Sequence, residues 1–161
     1  MDIPRFDTTG WTVDAFTEAA AELGGDSLSN PYPTYVAEAI ETVATADLSN
    51  ARHVGWQSLL FAGDEPIAAI ECTADAKGAL VHVCTIRETL PRRIVAALNV
   101  AEDHAMANEE TPFALVSIPQ AGLTLVWLPA SDMVIELESE AAEPRRPAEL
   151  ADVIRSVLNS E

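Results

Sequence analysis

The chain has 161 residues, 48% of them hydrophobic, with a mean hydropathy of +0.11, which is enough apolar material for one self-sufficient core and too much for a disordered tail. Its 26 acidic residues against 9 basic ones give a formal net charge of −17 and a pI near 4.3, a field that repels nucleic acid and anionic membranes, since both are held through Lys and Arg. No apolar run approaches the roughly 20 residues of a membrane span, and residues 1–5 lack the basic start and apolar stretch of a signal peptide, so a cytoplasmic protein with reduced thiols at Cys72 and Cys84 is expected.

Residues 1–12 read as an irregular lead-in. Thr12 is a predicted N-cap for a helix running to about Leu23, with Val13, Phe16, Ala20 and Leu23 on one stripe and Gly24 and Gly25 as its stop. Asn30, Pro31, Tyr32 and Pro33 form a predicted rigid connector, followed by a second helix from Thr34 to Ala46 with Val36, Ile40 and Val43 at helical spacing. The period then changes to two. Three strands are predicted at 54–61, 67–73 and 79–87, joined by tight turns at 63–66 and 75–78. Asp75 and Gly78 suit a three-residue hairpin loop, whose register pairs Cys72 with His82 and Ile70 with Cys84. That register places Ala68, Ile70, Cys72, Leu80, His82, Cys84 and Ile86 on the core side.

Pro91 sits where a first-turn proline belongs, and a helix over 90–108 carries the stripe Ile94, Ala97, Leu98, Ala101 and Ala105. A hairpin, a short strand at 133–137, an acidic proline-broken linker at 138–147 and a last helix at 148–158 complete the chain; the last helix bears Leu150, Val153, Ile154 and Val157. The order is α-α-βββ-α-ββ(β)-α. It predicts a single α/β (α+β) domain over residues 1–161, with a mostly antiparallel sheet from two β-meanders separated by a long helix.

The hairpin is the most unusual stretch. From Thr111 to Ser131 no residue is charged, in a chain that is 22% charged. Strand alternation is read as placing Phe113, Leu115, Leu123, Leu125 and Trp127 on one face and Ala114, Val116, Ile118, Val126 and Leu128 on the other. The middle helix is expected to cover the first face. The second needs another cover, and Val116, Ile118, Val126 and Leu128 are therefore the candidate dimer contacts.

Leu90 and Pro91 opening the middle helix after a third strand, Ala97, Leu98 and Asn99 within it, Phe113 to Val116, and Gly122 followed by Leu123 to Leu128 form a pattern within residues 54–130. This pattern resembles the YbjN-type family, whose fold is that of type III secretion chaperones. The resemblance implies a small, acidic, usually dimeric protein that binds other proteins without catalysis, the uncharged hairpin helping to form a dimer or client surface.

Cys72, His82 and Cys84 are the one cluster of possible ligands or nucleophiles, but they alternate with Ile70, Leu80 and Ile86 and read as core. A small Cys/His-dependent hydrolase or metalloprotein is the enzyme alternative to that reading. A small-molecule sensor of PAS- or profilin-like architecture is another. No phosphate loop, dinucleotide glycine pattern or nucleophile elbow is present, and no cofactor is expected. Arg87, Arg92 and Arg93 are the densest basic group before Arg145, and are candidates for an anion or an acidic partner if they are not paired within the chain. The function expected is a non-catalytic protein-binding module, chaperone-like or regulatory, acting as a homodimer. Its acidity serves solubility or steers in a basic protein partner.

Overall fold

The period-two stretch from residue 54 onward builds the centre of the molecule. In the computed structural model, which describes residues 5–6, 14–74, 76–77, 80–87, 89–105, 108, 111–138 and 143–159, it becomes three antiparallel strands: β4 (Arg52–Ala62), β5 (Glu65–Ala74) and β6 (Leu80–Ile86). Ahead of them come β1 (Arg5–Phe6), α1 (Asp14–Leu23), β2 (Ser27–Ser29), β3 (Tyr32–Val36) and α2 (Ala39–Thr45). After them come α3 (Leu90–Asp103), β7 (Ala114–Ile118), β8 (Leu123–Leu128), β9 (Met133–Glu136) and α4 (Pro147–Asn159). The fold is α+β, with one nine-stranded sheet among the described residues. Its spine runs β6-β5-β4-β3-β7-β8-β9, and β2 and β1 continue beside the far end of β4. Every pairing is antiparallel except β3 with β7, as a mostly antiparallel sheet requires.

Helix α3 covers one face. Its Ile94, Ala97, Leu98 and Ala101 pack with Tyr32, Leu59, Phe61, Ala69, Phe113, Leu115, Val126 and Leu128. The opposite face has two covers. Phe16 and Ala20 of α1 pack on Leu28, Leu60, Ala68, Ile70 and Cys72. Leu150 and Ile154 of α4, with Ala39 of α2, pack on Val116, Ile118, Leu125 and Val134. Burying each Val or Leu stabilises by about 1.5–3 kcal/mol, so each helix is held chiefly by its stripe.

Several expectations are corrected. The end of the expected connector, Tyr32 and Pro33, and the expected start of the second helix at Thr34 are instead one strand. Tyr32, Thr34, Tyr35 and Val36 are aromatic or β-branched and follow a pre-proline residue, which disfavours helix, and they form the strand that joins the two meanders. Helix α2 therefore begins only at Ala39, and Ile40 is 76% exposed rather than buried. Left-handed Ala46, at φ +56°, ends it where expected. Helix α3 ends at Asp103, and Ala105 is exposed with φ +57° instead of extending the stripe. The lead-in contributes Arg5 and Phe6 as a strand on β2. The predicted Thr12 cap, Val13, and the Asp75–Gly78 turn residues Asp75 and Gly78 lie outside the described residues.

The hairpin correction matters most. Ile118 and Leu123 are joined by a four-residue connection, one turn of 3-10 helix over Pro119–Ala121 closed by Gly122 at φ +65°. Leu115 therefore faces Val126, and Val116 faces Leu125. Directly paired residues share a face, so odd-numbered residues of β7 sit with even-numbered residues of β8. The expected faces are thus exchanged along half the hairpin. Val126 and Leu128 join Leu115 under α3, while Val116 and Ile118 join Leu125 under α2 and α4. All four candidate dimer contacts, Val116, Ile118, Val126 and Leu128, are 0% exposed inside the chain's own core. They offer no surface to a second copy.

Two outcomes follow for stability. Val126→Glu buries a carboxylate without a partner, at a cost of several kcal/mol against a total of about 5–15; loss of the cooperative unfolding transition by circular dichroism is expected. At Gly55 an added Cβ would stand 2.7 Å from the backbone oxygen of Cys72. Gly55→Ala should lower stability by about 1–3 kcal/mol, read as a drop in the thermal midpoint.

Candidate functional site

The Cys–His cluster is divided by one residue. Cys72 faces His82 across the β5–β6 ladder, as the hairpin register predicts, but a bulge follows and Glu71 pairs with Cys84. Ile70 therefore faces Thr85 rather than Cys84. A bulge sends the downstream side chains to the other face. Cys72 lies under α1 with Ile70, and Ile86 lies on the α3 side. His82 is exposed at the sheet edge, its Nε2 2.9 Å from the Thr85 hydroxyl. The three residues do not converge. Among the described residues no group of three His, Cys, Asp or Glu side chains is placed to hold a metal ion.

Cys84 instead ends a polar chain across four strands. The buried Tyr32 hydroxyl donates to Gln57 Oε1 at 3.0 Å, Gln57 Nε2 donates to Glu71 Oε1 at 3.4 Å, and the Cys84 thiol donates to Glu71 Oε2 at 3.3 Å. Burial, and then the Glu71 charge, push the Tyr32 hydroxyl far above its ordinary range. Burial, with the nearby Glu71 and Cys84, pushes the Cys72 thiol up to about 11. Burial and the bond to Glu71 raise Cys84 as well. Both thiols are held protonated, opposite in direction to the activation a nucleophilic cysteine needs.

The arginine group lies at the start of α3. Arg92 Nη2 meets Glu65 Oε1 at 2.8 Å, both side chains well exposed, which ties α3 to the β4–β5 turn with at most about 1 kcal/mol. Arg87 and Arg93 are exposed near it. The intramolecular pairing accounts for Arg92.

Two features escaped the sequence reading. One is the outer edge of β6, which pairs only with β5 among the described residues. Its seven residues, Leu80–Ile86, include no Asp, Glu, Lys or Arg, and Val81 and Val83 are 45% and 55% exposed. The other is a row of four rings on the α1, α2 and α4 face. Trp56 meets His53 edge-on at 4.9 Å, His53 meets Tyr35 at 5.4 Å, and Tyr35 meets Trp127 edge-on at 6.1 Å. The row could not be assembled from sequence, because Tyr35 reads there as helical and Trp127 as core beneath the middle helix. No described helix is long and apolar enough to cross a membrane. No family model, curated protein or solved structure matches the chain.

Thiol chemistry tests this arrangement. At pH 8 native Cys84 should react with a disulfide reagent before Cys72, and Cys72 orders of magnitude more slowly than in urea. Stability should fall as pH rises from about 8.5, where an unfolded thiol ionises, toward the folded Cys72 value of about 11, because only the unfolded chain releases its proton across that window. Cys72→Ser is expected to flatten that slope in thermal melts.

Proposed function

We propose that this chain is a non-catalytic protein-binding module of the cytoplasm, chaperone-like or regulatory, which forms a homodimer through the outer edge of β6. The observation that carries the proposal is the lack of charge on that strand. Exposed sheet edges display unpaired N–H and C=O groups, and proteins ordinarily guard them with charges, proline or a covering element. Leu80–Ile86 has neither charge nor proline, in a chain with 26 acidic residues, and its one guard among the described residues is the bulge between His82 and Cys84. Two copies each bearing −17 repel one another wherever their acids meet, and an uncharged strand is where they approach at least cost. An edge strand is also self-complementary. Antiparallel pairing of β6 with its two-fold mate would satisfy both edges and cover Val81 and Val83 on each side. The dimeric habit implied by the YbjN-type resemblance agrees with this reading, with the interface moved from the hairpin to β6.

Light scattering at micromolar concentration checks it. A dimer is expected, tightening between 50 and 500 mM NaCl as like-charge repulsion is screened. Val83→Lys should give a monomer whose stability stays within about 0.5 kcal/mol of the parent, as for other exposed substitutions. A parent chain that is monomeric at both salt concentrations overturns the proposal.

A further inference from the structure

The ring row bridges the two cores on its face of the sheet. Trp56 packs on the α1 core, and Tyr35 and Trp127 pack on the α2–α4 core. Helix α1 leans on β5 and β6, and α4 on α2 and β9, so three of the rings, on β4 and β3, lie between the two groups of helices, and Trp127 continues the row onto β8. The rings are only partly covered: Trp56, Tyr35 and Trp127 are half-buried and His53 is exposed. Two of the four rings are held by polar contacts. His53 Nε2 lies 2.8 Å from the Gly55 carbonyl, and the Trp127 indole N–H donates to Asp132 at 3.3 Å.

Two of the three flanking helices, α1 and α2, carry one sign of charge, while α4 also bears Arg155, ion-paired to Asp152 at 2.8 Å. Glu18 and Glu22 are exposed on α1, Glu38 and Glu41 are exposed at the start of α2, and neither helix contains Lys or Arg. Alternation along β4 sends the neighbouring Arg52 to the face opposite His53. Aromatic faces attract cations through their quadrupole, and the chain's net charge of −17 raises the local concentration of cations and their rate of arrival.

We infer that this seam binds an extended, arginine- or lysine-bearing segment of a basic partner protein. The ring steps of 4.9, 5.4 and 6.1 Å are close to the roughly 6.6 Å that separates alternate side chains of an extended peptide. Basic residues at alternate positions would therefore follow the row, whose edge-on pairs turn neighbouring ring faces nearly at right angles. This site is on a sheet face, separate from the β6 edge, and does not depend on dimerisation.

Titration of Trp fluorescence with the peptide amide Arg-Ala-Arg-Ala-Arg in 50 mM NaCl tests it, with an all-alanine peptide of the same length as control. A saturable signal with the arginine peptide alone is expected. Removing a ring, in His53→Ala or Tyr35→Leu, should weaken binding while the circular dichroism spectrum is retained, about three- to fivefold for Tyr35, since an exposed aromatic face is worth about 0.5–1 kcal/mol. His53 is exposed, so its substitution preserves the fold even if that of Tyr35 does not. Equal affinity in the parent and His53→Ala would assign the attraction to net charge alone and overturn the proposal, as would the lack of saturation. The Val83→Lys chain should bind as the parent does, which keeps this result independent of the dimer.

Discussion

β4 supplies backbone partners to three other strands. One of its edges pairs with β5 from Trp56 to Ala62, and the other is divided between β3 at the start and β2 near the end. The gap between β2 and β3 would leave backbone groups unpaired in the core, a cost of about 1–3 kcal/mol each. Two serines close it. The Leu59 N–H donates to the Ser29 hydroxyl at 2.9 Å, and the Ser58 hydroxyl donates to the Ser29 carbonyl at 2.6 Å. With that repair the sheet is continuous, and all three apolar clusters have a common wall.

Which residues become surface is then decided by single-residue changes of register. The four-residue turn before Leu123 exchanges the faces of β8 relative to a same-parity alignment. The bulge beside Glu71 turns the second half of β6 over. The first buries Leu115, Val116, Ile118, Leu125, Val126 and Leu128 of the uncharged hairpin within the chain, between α3 on one side and α2 with α4 on the other. The second separates two thiols that sequence spacing places together, leaving one under α1 and the other on Glu71. An apolar hairpin that looks like an interface is thus core, because the fold has helices on both faces of its sheet.

The surfaces left over are consistent with binding by contrast. An acidic exterior keeps the chain soluble and discourages contact with most macromolecules of the same sign. Against that background, the uncharged edge and the partly open row of rings are the two proposed points of approach for another chain. The edge suits a partner of any charge that offers a strand, a second copy included. The rings suit a basic one. Both differ from the two thiols, the buried Cys72 and the Glu71-bonded Cys84, whose surroundings favour the protonated form.

From sequence alone, periodicity and turn residues determined the period-two meander, the middle and last helices with their buried stripes, the glycine stop of α1 and the opposition of Cys72 to His82, since each depends on local spacing or on one hairpin. The α+β class followed from the order of those elements. The strand character of Tyr32–Val36 was masked by helical spacing of Val36, Ile40 and Val43, and it rests on pairing with Leu115–Ser117 some eighty residues away. Tertiary structure alone decided the faces of the hairpin and of β6, because side chains alternate with a period of two and a one-residue shift, set by a turn or a bulge, reverses every one of them. For the same reason the ring row, which draws Tyr35, His53, Trp56 and Trp127 from three strands, exists only once β3, β4 and β8 lie in one sheet.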